Sequence, residues 1–532
     1  MFNNAAHVTL FSILNPYIED EPVKEGTGGN VYFIDPGGDD ITGTGSYSNP
    51  WLTLQHACSV VTRAGDWIHV NAGNYTETLS CVLAEGVNIQ GDGATLSIIT
   101  SNDFGAAFHI IYAVSAIENS LGNRISHIGF DGDSENVKNA IYSRRRGKTI
   151  ISYCDFYDFA YQAINMCNGP GTGAEPTAYA SGCAIHHCNI YNCSQESAGT
   201  ALGSIEIGGQ VNLQIYSNSV ICPLSVADHG IPIKGVNYPW HKGLLIHHNT
   251  LQKFANATDL PFCCELWDIT GGFEFYSNTC TGALDMVRVA KYTYSLGADV
   301  HHNSFSRPAL YDRDDPGVTL ERSCSDVNIY KNYFANLPQG INISGGGVTS
   351  TLTRINIFYN IFYNIGTASD LNNYRIIYCY SPDLGHTWSY FNFYNNVMLC
   401  KVGGATDCGI FLPQYGTCSY FMIKNNIIEN GFDCCIWGRG VGSTMDHLSI
   451  DNNLFNNNGA ADQPLFDFGY SPTNYTYLNN IETDNPDFVN PASDWHLQAG
   501  SPCIDAGVNV GLTTDYEDDP VADPPEIGAY EY

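Results

Sequence analysis

Five short strand-like runs carry charged residues that could do chemistry: Glu206 in SIEIGG, Lys234 in GIPIKG, Glu265 in CELWDI, Asp285 and Arg288 in LDMVRV, and Glu321 in VTLERS. Apolar residues at alternate positions of a strand share one face, so the residues between them take the other. Ile205 and Ile207 turn inward and leave Glu206 outside. Ile231 and Ile233 leave Pro232 and Lys234 outside, and Cys264 and Leu266 leave Glu265 and Trp267 outside. LDMVRV admits two registers, one exposing Asp285 and the other Arg288. Outward carboxylates and a lysine are the groups of acid–base chemistry. Lys234, or His229 in the preceding ADHG, is the base for proton abstraction, and spaced carboxylates are the pair for glycosidic hydrolysis. Trp267, Tyr238 and Trp240 add flat planes of the kind that hold sugars. The counterpart without chemistry is a solvated face whose charges pair with one another. Scarcity favours function, because only 22 Lys plus Arg stand against 54 Asp plus Glu, a net charge of −32.

What brings these runs together is a recurring phrase: an apolar residue, two polar residues, an asparagine, any residue, then another apolar residue. It reads IYSNSV, IHHNTL, FYSNTC, VHHNSF, IYKNYF, IFYNIF, FYNNVM, IKNNII and IDNNLF, with Asn218, Asn249, Asn278, Asn303, Asn332, Asn360, Asn396, Asn426 and Asn453 in its central slot. Upstream the slot holds Cys188, Cys154 and Ile128. Eleven steps from 128 to 453 give 325/11, a mean period of about 29.5 residues, the mark of a stacked repeat array. Apolar residues five apart would face opposite ways on an unbroken strand, so the strand bends between them. Asparagine suits a left-handed bend, and its amide can bond to the rungs above and below as a ladder. A leucine-rich repeat shares the spacing but would carry a helical half. Here the other half is the second strand-like run, which predicts a parallel β-helix. Stacking then places Arg144, Arg145, Arg146 and Lys148 of SRRRGK, Asn165, Glu206, Lys234, Glu265, Asp285 or Arg288, and Glu321 along one stripe at about 4.8 Å per rung.

The acidic balance opposes binding to nucleic acid and anionic lipid. No run approaches the roughly 18 apolar residues of a membrane span, and residues 1–27 lack the basic start and cleavage site of a secretion signal. The 19 cysteines are scattered through strand runs and ladder slots, as with Cys154, Cys188, Cys264, Cys379 and Cys435. They read as buried thiols, with a few disulfides as the alternative. A zinc site has its best case in CAIHHCNIYNC, which lacks paired C-x-x-C spacing. The pairs His186–His187, His247–His248 and His301–His302 stand two rungs apart, about 10 Å. That is too far to share a metal, and they read as corner surface. The sequons at Asn74, Asn192 and Asn474 matter only in a eukaryotic secretory host.

Near the start, Asn49 and Pro50 fit the N-cap and first turn of a short helix with Leu52, Leu54, Ala57, Cys58 and Val61 as its apolar side. The strand DWIHVNAG follows. Asp35, Gly38, Asp40, Asn49 to Thr53, Gln55, Ala57, Ala64 to Asp66, Ile68, Val70, Gly73, Tyr75 and Glu77 together resemble the N-terminal cap and first coil of the pectate-lyase-like right-handed parallel β-helix superfamily. Asn485 to Gly507 and Pro524 to Tyr532 are similar to its closing coil. The resemblance implies an all-β, single-stranded right-handed parallel β-helix with an N-terminal helical cap and a C-terminal capping coil. Residues 1–27 would be a flexible or docking extension, 28–120 the cap and first coils, 121–480 the β-helix with its asparagine ladder, and 481–532 the closing coil.

The superfamily's lyases imply β-elimination from an acidic polysaccharide. Lys234 or His229 would be the base, Arg288 would stabilise the enolate, and Glu206, Glu265 or Asp285 would hold a bridging Ca²⁺. Asn165, Tyr238, Trp240, Trp267, Asp285 and Glu321 would line the substrate. One alternative is a non-catalytic virion, tail-spike or surface protein that binds glycan. Another is a glycoside hydrolase, for which Glu206 and Glu265 stand two rungs or about 9.6 Å apart, near the top of the inverting window. The expected partner is a polysaccharide, outside the cell or on a virion. A homotrimer, or attachment to a larger particle through residues 1–27, follows by analogy with viral spikes.

Overall fold

The computed structural model describes residues 29–103, 105, 108–167, 179–194, 202–223, 230–235, 241–253, 262–288, 297–307, 316–346, 349–366, 374–380, 385–400, 406–429, 434–438, 444–456, 465–466, 472–482 and 484–532. The expected docking extension, and with it His229, Tyr238 and Trp240, lies outside them. The chain forms two compact units, Met1–Trp240 and His241–Tyr532.

In both units each coil contributes one strand to each of three parallel sheets. The first sheet takes the strand that leads into the ladder slot, the second the strand that leaves it, and the third the run that carries the charged residues. One coil of the first unit runs Ile150–Ser152, Asp155–Tyr157, Ile164–Cys167. One coil of the second runs Phe273–Tyr276, Thr279–Thr281, Ala283–Arg288. The apolar residues of the phrase point inward and stack like on like. Phe130 lies on Phe156 at 4.9 Å in the first unit, and Phe305, Phe334 and Phe362 stack at 5.0 and 4.7 Å in the second. Each such ring buries its area against the next coil, so stability accrues coil by coil.

The ladder forms as expected. In the second unit Asn278 Oδ1 accepts both the backbone N–H and the amide N–H of Asn249, each at 3.0 Å, and the same double acceptance repeats through Asn303, Asn332, Asn360, Asn396, Asn426 and Asn453. It runs one rung further than the phrase, to Asn480. In the first unit Cys188 fills a slot, and its backbone N–H donates to Asn218 Oδ1 at 3.0 Å. The left-handed residue, however, is the one before the slot: His127, Tyr153, His187 and Ser217 in the first unit, and His248, Ser277, His302, Lys331, Tyr359, Asn395, Asn425, Asn452 and Asn479 in the second. The slot asparagine turns inward to satisfy the N–H groups that the bend strands. Its identity is therefore set by hydrogen bonding rather than by φ.

The cap helix spans Leu54–Val60, but its N-cap is Thr53, whose hydroxyl accepts from His56 N–H. Asn49 and Pro50 lie earlier, in a turn closed by Asn49 N–H on Ser46 O and Asn49 Nδ2 on Thr42 O. Asp40 orients Thr53 through its hydroxyl, and the Glu77 carboxylate accepts from Leu54 and Gln55 N–H at the helix start. Leu54, Ala57, Cys58 and Val61 are buried as expected, whereas Leu52 is exposed. In the second unit the C-terminal segment packs along the corner residues of several coils. Asn395 donates to Glu526 O and Gly528 O, Asn425 exchanges bonds with Val508, Asn452 donates to Ala506 O, and Lys331 pairs with Asp518. Trp495, Cys503, Ile527 and Tyr530 bury against Tyr359, Val397 and Ile427 beneath these bonds.

Candidate functional site

The outer face of the third sheet carries the charged residues, and strand register decides which of them meet. In the first unit the pairings run Tyr112 to Tyr142 to Asn165 to Glu206 to Lys234. Asn165 Nδ2 donates to Glu206 Oε2 at 3.0 Å, and Gly203 N–H reaches Glu206 Oε1 at 3.3 Å. Glu206 is buried, and burial raises its pKa against the opposing pull of Gly203 N–H, the Gln162 side chain and the Lys234 charge. Lys234 is half-buried on the next rung.

The basic run takes no part as a block. Arg144 is on the outer face two residues beyond Tyr142. Arg145 takes a left-handed φ of 64°, which breaks the alternation. Arg146 is consequently turned inside, where it donates to Ser115 Oγ, Asn123 Oδ1 and Leu83 O, and burial lowers its pKa to about 10. Lys148 is exposed beyond the strand, with a φ of 55°.

In the second unit the register resolves LDMVRV. Leu284 and Met286 are buried inward, and Asp285 pairs with Glu265 on the outer face. Asp285 is followed on successive rungs by Thr319, Asn342, Tyr378, Phe411 and Trp437. Glu321 is not in this column. It pairs with Val287, two residues along, so it belongs with Trp267 in a neighbouring column. Arg288 pairs through its backbone with Arg322. The expected single stripe is thus two columns, because Thr319 rather than Glu321 meets Asp285.

Around these acids the contacts are close. Trp267 Nε1 donates to Glu265 Oε1 at 3.0 Å, and the Arg322 guanidinium lies 5.6 Å from the Trp267 ring centre. Glu265 and Asp285 are 6% and 2% exposed. Glu321 is more open, and its pKa is raised by burial and by the Glu265 charge, against the pull of Arg322. Further along the face, Arg375 is sandwiched 4.3 Å from Tyr378 and 4.2 Å from Phe411, with Trp437 at 5.8 Å. Sequence reasoning missed this aromatic end. Its signal is that RIIYCY, GIFLPQ and CIWGRG put a ring where CELWDI and LDMVRV put a carboxylate.

Of the calcium candidates, Glu265 and Asp285 are adjacent in the second unit, and Glu206 belongs to the first. Among the described residues no three His, Cys, Asp or Glu side chains come together as a metal would need. Each histidine pair bonds within itself, Nδ1 to Nδ1, at 3.0 Å for His186–His187, 2.9 Å for His247–His248 and 2.8 Å for His301–His302. Burial lowers the pKa of His186 and His301 to about 4. Cys154, Cys188 and Cys264 are buried free thiols, and Cys379 and Cys435 are buried.

No protein-family model and no curated protein sequence matches the chain. Solved structures do. The tailspike protein of E. coli bacteriophage HK620, in complex with a hexasaccharide, is similar over 81% of this chain and 78% of its own, at 12% identity and a TM-score of 0.51. The fold is a parallel β-helix. Two further β-helix neighbours superpose less closely. XylC in complex with xylose matches over 94% of this chain and 98% of its own at 12% identity and a TM-score of 0.44. DFA-IIIase from Arthrobacter chlorophenolicus A6 in complex with GF2 matches over 66% and 92% at 14% identity and 0.43. Among the described residues of this β-helix, no helix is long and apolar enough to cross a membrane.

Proposed function

We propose that this β-helix binds a polysaccharide across the third sheet of its second unit and hydrolyses it there, outside the cell or on a virion. The observation that carries the reading is Glu265 held by Trp267, with Asp285 on the next rung and Glu321 near enough to be raised by the Glu265 charge. Hydrolysis needs one carboxyl that keeps its proton and one that does not. Glu321, raised by burial and by a like charge, is the proton donor to the leaving oxygen. The Glu265–Asp285 pair supplies the base or nucleophile. Glu321 and Glu265 stand two rungs and two residues apart, about 12 Å at the backbone, so their side chains must reach toward each other to span the roughly 6.5–9.5 Å of an inverting enzyme. Trp267 offers its ring to the sugar while its N–H orients Glu265.

β-Elimination is the second reading, favoured by one observation: Lys234 stands beside Glu206 in register and half-exposed. Glu265 and Asp285 would offer a calcium ion two adjacent carboxylates, the rest of its roughly 6–8 oxygens coming from water and substrate. Incubation with neutral and uronic-acid polymers separates the readings. Hydrolysis gives reducing ends without absorbance from an unsaturated product, and elimination gives both. If neither signal appears, the face only binds glycan.

A further inference from the structure

The second unit carries another feature, on the outer face of its first sheet, that neither reading uses. Asn328 Nδ2 donates to Asp299 Oδ1 at 2.7 Å, Asn356 Nδ2 to Asn328 Oδ1 at 2.8 Å, and Asn392 Nδ2 to Asn356 Oδ1 at 2.7 Å. Tyr394 closes the row, its hydroxyl donating to Asn392 Oδ1 at 2.9 Å. This is a second amide ladder, four residues before the buried one in each coil, and it is half-exposed.

The ladder is the floor of a trough. One wall is a ring column in which Tyr330 and Phe358 stack at 4.9 Å, almost parallel at 1°. The other wall is Asp326, Arg354 and Tyr390, each held left-handed with φ of 57°, 55° and 59°. The register steps over these three residues, pairing Ser325 with Thr353 and Ser389, then Val327 with Ile355 and Phe391. The register is kept across them, so each is a left-handed kink that turns two successive side chains of its strand outward. Arg354 is fixed by both oxygens of Asp326, and Tyr390 stacks on Tyr420 at 4.8 Å. Two hollows of about 440 and 430 Å³ flank the ladder, each of a size that takes a small ligand.

We infer that this trough is a binding site for a neutral oligosaccharide, separate from the carboxylate cluster. Each ladder amide has two N–H groups and two lone pairs, and commits one of each along the row. One donor and one acceptor therefore remain per rung, a match for vicinal hydroxyls on successive sugar rings. Asp326 already neutralises Arg354, and Asp299 at the head of the row opposes a carboxylate, so a uronic-acid chain is disfavoured. The side walls supply ring faces for the apolar faces of the sugars.

The test is titration calorimetry of the full chain with neutral and uronic-acid hexasaccharides, each also titrated into Tyr390→Ala and Asn356→Asp. Tyr390 is exposed, so its removal leaves the fold intact, and thermal melting checks both variants. The expected result is binding of a neutral hexasaccharide that weakens about tenfold in each variant, the scale of one lost ring contact or amide bond. Turnover at the third sheet should be unchanged, so failure here leaves the proposed hydrolysis standing. Equal affinity in the wild type and both variants, binding of uronic-acid chains only, or no binding of any neutral hexasaccharide would overturn the site. So would a dimer in sedimentation that Tyr390→Ala dissociates, since the face would then be a contact between copies.

Discussion

Replacing Asn360 by alanine removes a side chain that is 0% exposed and holds together three coils of the second unit. Its Oδ1 accepts from Asn332 N–H at 3.1 Å and Asn332 Nδ2 at 3.0 Å. Its Nδ2 donates to Ile329 O at 2.8 Å, Asn396 Oδ1 at 3.0 Å and Phe358 O at 3.2 Å. Alanine strands the Asn332 N–H outright, and Asn332 Nδ2 keeps only its bonds to Val300 O and Tyr330 O. At about 1–3 kcal/mol for a buried polar group left without a partner, the stranded Asn332 N–H, together with the bond that Ile329 O loses, puts the expected cost at the top of that range, about 3 kcal/mol. Because each coil contacts only its neighbours, the loss should be local. Hydrogen exchange at the amides of residues 329–334 and 358–362 is the assay. A cost of about 3 kcal/mol speeds exchange there by about two orders of magnitude, with little change in the coil around Asn278. Uniform acceleration along the unit, or none at residues 329–334, would refute the ladder as the element that fixes each bend.

Three further outcomes follow from the same contacts. Thr53→Ala removes the N-cap of the Leu54–Val60 helix and should cost about 1 kcal/mol of local stability in the first unit, measured as faster exchange of His56 N–H. The docked C-terminal segment should loosen with rising pH. Burial and the neighbouring Glu531 raise Glu526 from 4.5 to about 8, so docking is strongest below about 4.5, weakens as pH rises, and levels off above about 8. Limited proteolysis across that range should show the trend, and Glu526→Gln should flatten it. Lys234→Ala should leave hydrolysis unchanged, and loss of an absorbance-detected product in that variant would move the chemistry to the first unit.

The bend, the ladder and the three-strand coil were legible because each obeys a local spacing rule repeated many times. Asn480 escaped because Glu482 stands where the phrase requires an apolar residue. Propensity assigns the left-handed position to the ladder asparagine because it does not distinguish an amide needed for φ from one needed for hydrogen bonding. Alternation extended through Arg145 puts Arg146 outside, and the left-handed backbone at Arg145 reverses it. The carboxylates were found by alternation within single strands, but their grouping depends on register between strands. A shift of two residues separates Glu321 from Asp285 while leaving both outward. The outer row of Asn328, Asn356 and Asn392 has a signal, an asparagine flanked by apolar residues four before each of Asn332, Asn360 and Asn396. The phrase began one residue too late to include it.

The most direct measurement is the pH profile of polysaccharide turnover by the wild type, Glu265→Gln and Glu321→Gln. Reducing-end release should fall by about 10²–10⁴ in both variants with the fold intact, and the wild-type profile should fall at high pH as Glu321 loses its proton above the usual carboxylate range. Wild-type turnover in either variant, or an unsaturated product in place of simple reducing ends, would contradict hydrolysis at this cluster.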